Sequence, residues 1–245
     1  MLDYRESHQD PKKGVEYHEK FTRNPYRSMI WGMEQDVLDE VTGTRLRSHF
    51  DHLDFACGTG RIIEHLQSRA GSSTGVDVSD SMLAVARERL TDCVFINGDI
   101  TRENLLPGRR FDLVTAFRFF ANSQDDLRAD AMAALAGLLA ADGIIVFNNH
   151  KNRWSLIYML GKLLRRRQRD MSHADVMRLV RSAGLEILEV RHMAVLPATD
   201  KYRLLPVSVI APLERWLSRR AFLRPVAANN IYVCGLARSG QVGKA

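Results

Sequence analysis

The sequence predicts an α/β fold built on a doubly wound, mostly parallel sheet of seven strands, with helices on both faces. Three observations predict it. Short apolar, β-branched runs alternate with helical patterns along the chain, which is the order of β-α-β units. The run at residues 111–117 (FDLVTAF) is largely apolar, as expected for a strand covered on both faces. The first run ends in a glycine turn that leads directly into a helical pattern.

The first β-α unit contains this glycine turn at residues 52–61, which read HLDFACGTGR. We expect a strand at 52–56 and a helix from Arg61 to about residue 69. Gly58 and Gly60 suit the turn because glycine tolerates positive φ and lets a ligand approach the backbone. The start of the helix adds unpaired N–H groups. This unit therefore predicts a site for a nucleotide-like ligand.

The residues around the glycines narrow the choice of nucleotide. The dinucleotide fingerprint GxGxxG would need a third glycine at the position of Ile63. Asp54 at the strand end would repel a pyrophosphate and attract an ammonium group, because it carries a negative charge. A ligand that joins adenosine to an amino acid without phosphate, namely S-adenosylmethionine, fits both observations. A dehydrogenase is disfavoured for the same reasons.

Residues 53–60 (LDFACGTG) resemble the first motif of the class I S-adenosylmethionine-dependent methyltransferases of small-molecule type, hydrophobic-Asp/Glu-x-x-x-Gly-x-Gly. The resemblance covers roughly residues 51–193 and the last strand. It implies a Rossmann-like fold, S-adenosylmethionine as the cofactor and methyl transfer as the activity. In this motif the residues expected to bind the cofactor are Asp54, Ala56, Gly58, Thr59 and Gly60.

The second strand is expected at residues 73–78 (STGVDV), followed by a helix for which Ser79 is a candidate N-cap. Asp77 closes this strand 19 residues after Gly58. A carboxylate there can accept both hydroxyl protons of a ribose; a strand-end turn residue is the alternative. Val78 and Met82 are expected to contact the cofactor as well.

The third strand is expected at residues 93–97, and Asp99 and Ile100 follow it closely. In the resembled family an acidic residue here commonly accepts a hydrogen bond from the adenine amino group, with the next residue's backbone nearby. An Asx turn is the competing explanation for Asp99. Phe117 ends the fourth strand, where methyl donor and acceptor should meet. The N/D-P-P-Y/F motif of nitrogen-directed members is missing there, which argues against methylation of nucleic-acid bases.

The rest of the chain completes a single domain, 1–245, whose core spans residues 49–193 and 230–238. Further helices are expected at 123–140, with Ser123 as the cap, and at 172–183, and further strands at 144–150, 185–193 and 231–237.

Residues 1–48 are expected to form a helical leader. A helix from about residue 24 or 25 to 46 is predicted because apolar residues recur there at helical spacing. In the resembled family such a leader often folds over the cofactor. Tyr17, Tyr26 and Arg27 could then reach the cofactor carboxylate or the substrate, and packing of the leader onto the core is the alternative.

Two insertions, residues 151–170 and 194–229, follow the fifth and sixth strands. They could therefore lie over the carboxyl edge of the sheet, where ligands bind in open α/β folds. Each combines an apolar helical pattern with cations and a tryptophan, Trp154 or Trp216. Such helices could contact a membrane, close over a lipid-like substrate or pack against each other as a lid.

Methyl transfer from a sulfonium is an in-line displacement, so much of the acceleration can come from alignment in a dry cavity. If the acceptor is a hydroxyl, a base must take its proton, for which His150 is the best-placed candidate and His18 the second; a structural or surface histidine is the alternative. Methylation of a small-molecule acceptor, apolar, lipid, glycan-linked or polyketide-like, is expected, with O-methylation favoured over N- or C-methylation. We expect no metal site, because no cluster of oxygen ligands occurs at the predicted strand ends.

The net charge of +6 would suit an acidic partner, but the basic clusters at residues 162–169 and 215–224 fit solvated helix ends equally well. An RNA methyltransferase is an alternative, and the missing sequence motifs and RNA-binding module speak against it and against a nucleic-acid partner. A non-catalytic nucleotide-binding protein is the other alternative. Three cysteines without a C-x-x-C pair, no signal region and no membrane span favour a cytoplasmic setting.

Overall fold

A computed structural model describes residues 23–163 and 170–237 of the protein. The helices are α1 (Pro25–Arg45), α2 (Arg61–Leu66), α3 (Asp80–Arg89), α4 (Asp125–Gly137), α5 (Leu156–Leu163), α6 (His173–Ser182) and α7 (Val207–Leu217). The strands are β1 (Phe50–Phe55), β2 (Ala70–Asp77), β3 (Val94–Asn97), β4 (Phe111–Ala116), β5 (Leu139–Asn149), β6 (Leu185–Met193) and β7 (Asn229–Leu236).

The strands form one seven-stranded sheet in the order β3-β2-β1-β4-β5-β7-β6. The first five are mutually parallel, and β7 runs antiparallel to β5 and β6. The predicted doubly wound, mostly parallel seven-stranded sheet is thereby confirmed. Because β7 runs in reverse, it begins at the edge where the parallel strands end, and its Asn230 pairs with Asn149 at the end of β5.

Helices cover both faces of the sheet. On one face, Leu53 and Phe55 of β1 belong to a buried cluster that includes residues of α4 and α6. On the other face, α1 and α2 pack against β4, β5 and β7 in a second cluster. Side chains alternate along a strand, so His52 and Asp54 point away from the face of Leu53. The leader helix α1 is thus part of the core.

Helix ends differ from the expectations at two places. Gln124, and not Ser123, is the N-cap of α4, and the Ser123 hydroxyl donates to the Phe119 carbonyl one turn earlier; the predicted Ser123 cap is wrong. Ser79 does occupy the N-cap position of α3, but its side chain makes no capping hydrogen bond and contacts the Ser81 hydroxyl.

Candidate active site

A cavity of about 830 Å³ opens at the carboxyl edge of the sheet. Its lining comes from the glycine turn, α1, the start of β7 and both insertions. The predicted site residues that line this cavity are Arg27, Asp54, Ala56, Gly58, Thr59, Asp77, Met82, Phe117 and His150. Four others, Gly60, Val78, Asp99 and Ile100, do not line it. Tyr17, His18 and residues 164–169 lie outside the described residues.

The glycine turn has the backbone that the sequence indicates. Ala56, Gly58 and Gly60 have φ values of 53°, 56° and 75°, in the left-handed region. A Cβ atom at Gly58 would meet no heavy atom within 4 Å, so the backbone borders open space. A Cβ atom at Gly60 would lie 2.8 Å from Leu90 Cδ1, so close packing against the region after α3 requires glycine there. Gly58 can admit a ligand, whereas Gly60 shapes the turn.

The Asp77 carboxylate is fixed beside this turn. Its Oδ2 accepts a hydrogen bond from the Gly58 N–H at 2.8 Å, and its Oδ1 accepts one from the Ser79 N–H at 2.9 Å. A carboxylate offers about four acceptor positions. The carboxylate oxygens that hold these two backbone groups can therefore also accept hydrogen bonds from the hydroxyls of a ligand in the cavity.

Asp54 is 2% exposed and lines the cavity. Its Oδ1 accepts a hydrogen bond from Thr115 Oγ1 at 2.7 Å. Burial raises the pKa of this carboxyl to about 7, while the Thr115 hydrogen bond and the positive charge of Arg61 oppose the rise and the negative charge of Asp77 adds to it. A cation in the cavity would stabilise the ionised form.

Asp99 sits in an Asx turn: its Oδ1 accepts hydrogen bonds from the Thr101 N–H at 2.9 Å and from Thr101 Oγ1 at 2.6 Å. The Asx turn, which was the alternative role for Asp99, is therefore present in the structure. Binding of adenine by Asp99 and Ile100 stays a prediction.

Arg27 joins the leader to the second insertion at the cavity wall. Its Nε donates to Asp200 Oδ2 at 2.9 Å, and both residues line the cavity. Asp200 therefore binds the Arg27 guanidinium. Contact between Arg27 and the cofactor carboxylate stays a prediction.

His150 follows β5 and lines the cavity. Its Nδ1 is buried and has no hydrogen-bond partner. Burial, followed by the positive charges of Arg118 and Lys151, holds the pKa of this imidazole well below its usual range. His150 is therefore neutral near pH 7 and has a lone pair with which to accept a proton.

Glu34 of α1 is a buried carboxylate beside the site that the sequence analysis did not predict. Glu34 of α1 is fully buried, and its Oε1 accepts from Asn148 Nδ2 at 3.1 Å and from Asn229 Nδ2 at 2.9 Å. The same oxygen lies 3.5 Å from Arg118 Nη2. The available signal was a glutamate on the apolar stripe of a helix, four residues after Ile30 and four before Leu38.

Asn148 and Arg118 connect this carboxylate to the end of β4. Asn148 Oδ1 accepts a hydrogen bond from the Arg118 N–H at 2.7 Å. Arg118 has a φ of 63° and lines the cavity next to Phe117. The buried Asn148 side chain thus stabilises the left-handed backbone conformation of Arg118, just after the end of β4.

The two insertions form the rim of the cavity and leave apolar side chains exposed. In the first, Trp154, Leu156, Met159 and Leu160 are between 43% and 57% exposed. In the second, the exposed apolar residues are Tyr202, Leu204, Leu205, Val209, Leu213, Trp216 and Phe222. Leu160 and Tyr202 also line the cavity.

The described residues contain neither a cluster of metal ligands nor a membrane-spanning helix. No group of three or more His, Cys, Asp or Glu side chains there could hold a metal ion. No helix in residues 23–163 or 170–237 is long and apolar enough to cross a membrane.

Comparisons with known proteins point to one family. A family profile described as "Methyltransferase domain" matches residues 53–143. The dTDP-3-amino-3,6-dideoxy-alpha-D-glucopyranose N,N-dimethyltransferase of Streptomyces fradiae is 38% identical over 38% of this chain and 37% of its own length. The chain spans between 37% and 51% of the aminosugar N,N-dimethyltransferases that it matches.

The match to other relatives is longer. The ubiquinone biosynthesis O-methyltransferase of Thiobacillus denitrificans is 30% identical over 76% of this chain and 89% of its own length. The fold is similar to that of the crystal structure of an S-adenosylmethionine-dependent methyltransferase from Clostridium acetobutylicum, with a TM-score of 0.61, 19% identity, and coverage of 92% of this chain and 98% of that chain.

Proposed function

The chain belongs to the class I S-adenosylmethionine-dependent methyltransferases, and from this premise we propose that it transfers a methyl group from S-adenosylmethionine to a hydroxyl oxygen of a small-molecule acceptor. The observation that carries the choice of oxygen is His150. This neutral imidazole lines the cavity, and its Nδ1 has no hydrogen-bond partner.

The residues of the glycine turn fit the cofactor. When bound, S-adenosylmethionine supplies an activated methyl group. Gly58 leaves open space for the close approach of a ligand, and the Asp77 carboxylate, fixed beside it by the Gly58 and Ser79 N–H groups, can accept from ribose hydroxyls. Asp54 is a buried carboxyl beside the cavity, where the ammonium of an amino-acid moiety would stabilise its ionised form.

A hydroxyl is a weak nucleophile until its proton is removed, whereas a neutral amine is a good nucleophile without help from a base. General-base catalysis by a positioned histidine is therefore useful for an oxygen acceptor. In the proposed reaction His150 accepts the hydroxyl proton while the oxygen attacks the methyl carbon in line with the leaving sulfur. Phe117 and the apolar rim exclude water from the line of attack.

The acceptor is proposed to be amphipathic, lipid- or glycan-linked. The polar side chains of His150 and Asn229 in the cavity wall suit a hydroxylated head, and the exposed apolar residues of the rim suit an apolar remainder. The same rim could contact a membrane that holds such an acceptor. A cytoplasmic location remains our expectation from the sequence.

Binding and transfer test this proposal in two steps. Calorimetric titration with S-adenosylmethionine, S-adenosylhomocysteine and NAD should give binding of the two sulfur ligands and none of NAD. Label from S-adenosyl-[methyl-¹³C]methionine should then appear in methoxy signals when hydroxylated lipids and glycans are offered with their amino counterparts. The names of the aminosugar relatives make N-methylation the competing outcome. Label in N-methyl signals alone would refute methyl transfer to oxygen. A folded sample that binds neither S-adenosylmethionine nor S-adenosylhomocysteine would refute the proposed cofactor.

A further inference from the structure

Three polar side chains are buried in the sheet directly behind Asp54. His52 of β1 and Thr115 of β4 are fully buried, and Ser73 of β2 is 6% exposed. Strands covered on both faces are usually apolar throughout. In the strand register His52 pairs with Ser73, and Asp54 pairs with Thr115. None of the three borders the cavity, so they reach a ligand only through Asp54.

Hydrogen bonds join the four residues into a chain. Thr115 Oγ1 lies 2.7 Å from Asp54 Oδ1 and 2.8 Å from His52 Nε2. At the other end of the imidazole, His52 Nδ1 lies 3.4 Å from Ser73 Oγ. The chain therefore runs from Ser73 through His52 and Thr115 to the carboxylate.

The chemistry of a carboxylate fixes the direction of every donor in this chain. An ionised Asp54 only accepts, so the single Thr115 hydroxyl proton is donated to it. The Thr115 oxygen is then an acceptor toward His52, whose Nε2 must carry the proton. His52 Nδ1 is left as the acceptor for Ser73. Every polar group in the chain has one consistent role when Asp54 is ionised.

We propose that His52 and Thr115 are positioning residues, which aim the Asp54 carboxylate at the cavity and supply the hydrogen bond that its ionised form needs to bind the cofactor ammonium. The proposal rests on the cofactor assigned above. His52 is neutral throughout the ordinary pH range, because burial lowers its pKa to about 3. It therefore acts as a fixed donor and not as a second charge.

The other groups that face Asp54 are few. Arg61 of α2 brings a positive charge, and Asp77 at the end of β2 brings a negative one. Cys57 in the turn is a buried thiol whose pKa is raised above its usual value, so it is uncharged near pH 7. Among the described residues, Thr115 is the one side chain whose hydrogen bond favours the charged form of Asp54.

The test compares two nucleosides that differ at the amino-acid end. S-adenosylhomocysteine carries the ammonium, and 5′-methylthioadenosine lacks the whole amino-acid moiety. Both are titrated calorimetrically into the wild-type protein and into Thr115→Val, His52→Leu and His52→Gln. Gln can place an amide N–H near the position of His52 Nε2. Thr74→Val is the matched control, because Thr74 is a buried threonine of β2 that pairs with Leu53.

Thr115→Val should weaken S-adenosylhomocysteine binding about tenfold at pH 7, since a hydrogen bond to a charged group is lost. His52→Leu should weaken it about threefold, because the Thr115 hydroxyl is no longer held, and His52→Gln should restore most of the affinity. Binding of 5′-methylthioadenosine should change by less than about twofold in all variants and serves as the folding control. Thr74→Val should leave both ligands unaffected.

The pH profile gives a readout that a purely structural role would not move. The pH at half-maximal S-adenosylhomocysteine affinity should rise in Thr115→Val and, by less, in His52→Leu, because the Asp54 pKa rises when its donor is lost or loosened. An unchanged profile, or equal losses for both nucleosides, overturns the inference. If the wild-type protein binds neither nucleoside, the proposed cofactor is overturned as well. If the wild-type protein binds both but the variants do not discriminate between them, only the positioning role of His52 and Thr115 is overturned.

Discussion

Replacement of Asp77 by alanine should weaken the binding of S-adenosylhomocysteine about 100-fold. Asp77 lines the cavity and accepts hydrogen bonds from the N–H groups of Gly58 and Ser79. We assign to this carboxylate two further hydrogen bonds, from the ribose hydroxyls of the cofactor. A hydrogen bond to a charged group contributes about 1.5–3 kcal/mol, and competition from water favours the lower value. Two such bonds amount to about 3 kcal/mol, which corresponds to a factor of about 100.

Calorimetry with S-adenosylhomocysteine and its 2′,3′-dideoxy analogue separates ribose contact from damage to the turn. In the wild-type protein, loss of both hydroxyls should cost about as much affinity as Asp77→Ala does, and in the variant the two ligands should bind equally. Asp80→Ala is the control, because this neighbouring acid is exposed in the first turn of α3. A variant that still prefers the hydroxylated ligand by the wild-type factor would refute the ribose assignment.

Three further predictions test the rest of the site. The affinity for S-adenosylhomocysteine should rise several-fold from about pH 6 to about pH 7.5, because a pKa of about 7 leaves Asp54 largely protonated at the lower pH; calorimetry showing a flat profile would contradict this. His150→Ala should lower kcat/KM for a hydroxyl acceptor about 100-fold while cofactor affinity stays constant; full turnover in a labelled-methyl assay would remove the proposed base. Glu34→Ala should lower the free energy of unfolding by about 3 kcal/mol, because two buried amides lose their shared acceptor. Urea denaturation measures this loss, with the exposed Glu40→Ala of the same helix as control; a loss equal to that of the control would exclude a structural role for Glu34.

Local chemistry explains why most of the fold could be predicted. Asn24 accepts from the N–H groups of Tyr26 and Arg27, and Pro25 occupies the first helical position, so α1 begins where the sequence indicates. The start of β5 could not be found in this way, because Asp142 and Gly143 suggest a turn.

Gly143 shows the physical reason why β5 begins earlier than expected. A Cβ atom at this position would lie 2.7 Å from the Phe111 carbonyl oxygen. Glycine therefore lets the strand pass close to the start of β4, where Phe111 pairs with Leu139. Gly143 is needed because two backbones approach closely there. Local turn propensity cannot distinguish this role of a glycine from its role in a turn.

The candidate site also consists of one part that the sequence predicts and one part that it does not. The glycine turn, Asp54 and Asp77 are close in sequence and belong to successive β-α units, so spacing alone predicts their neighbourhood. Glu34 is 114 residues from Asn148 and 195 from Asn229. No local pattern joins positions so far apart, and only the topology of the sheet brings them together.

The reversed direction of β7 accounts for this meeting. A parallel strand can bring only its last residues to the carboxyl edge, but β7 brings its first ones, so Asn229 arrives beside the end of β5. A carboxylate accepts only, so the amide nitrogens of Asn148 and Asn229 must both face Glu34. Glu34 therefore ties α1 to the end of β5 and to the start of β7, where Asn229 lines the cavity. The leader helix thus supports the cavity wall through a residue that does not itself border the cavity.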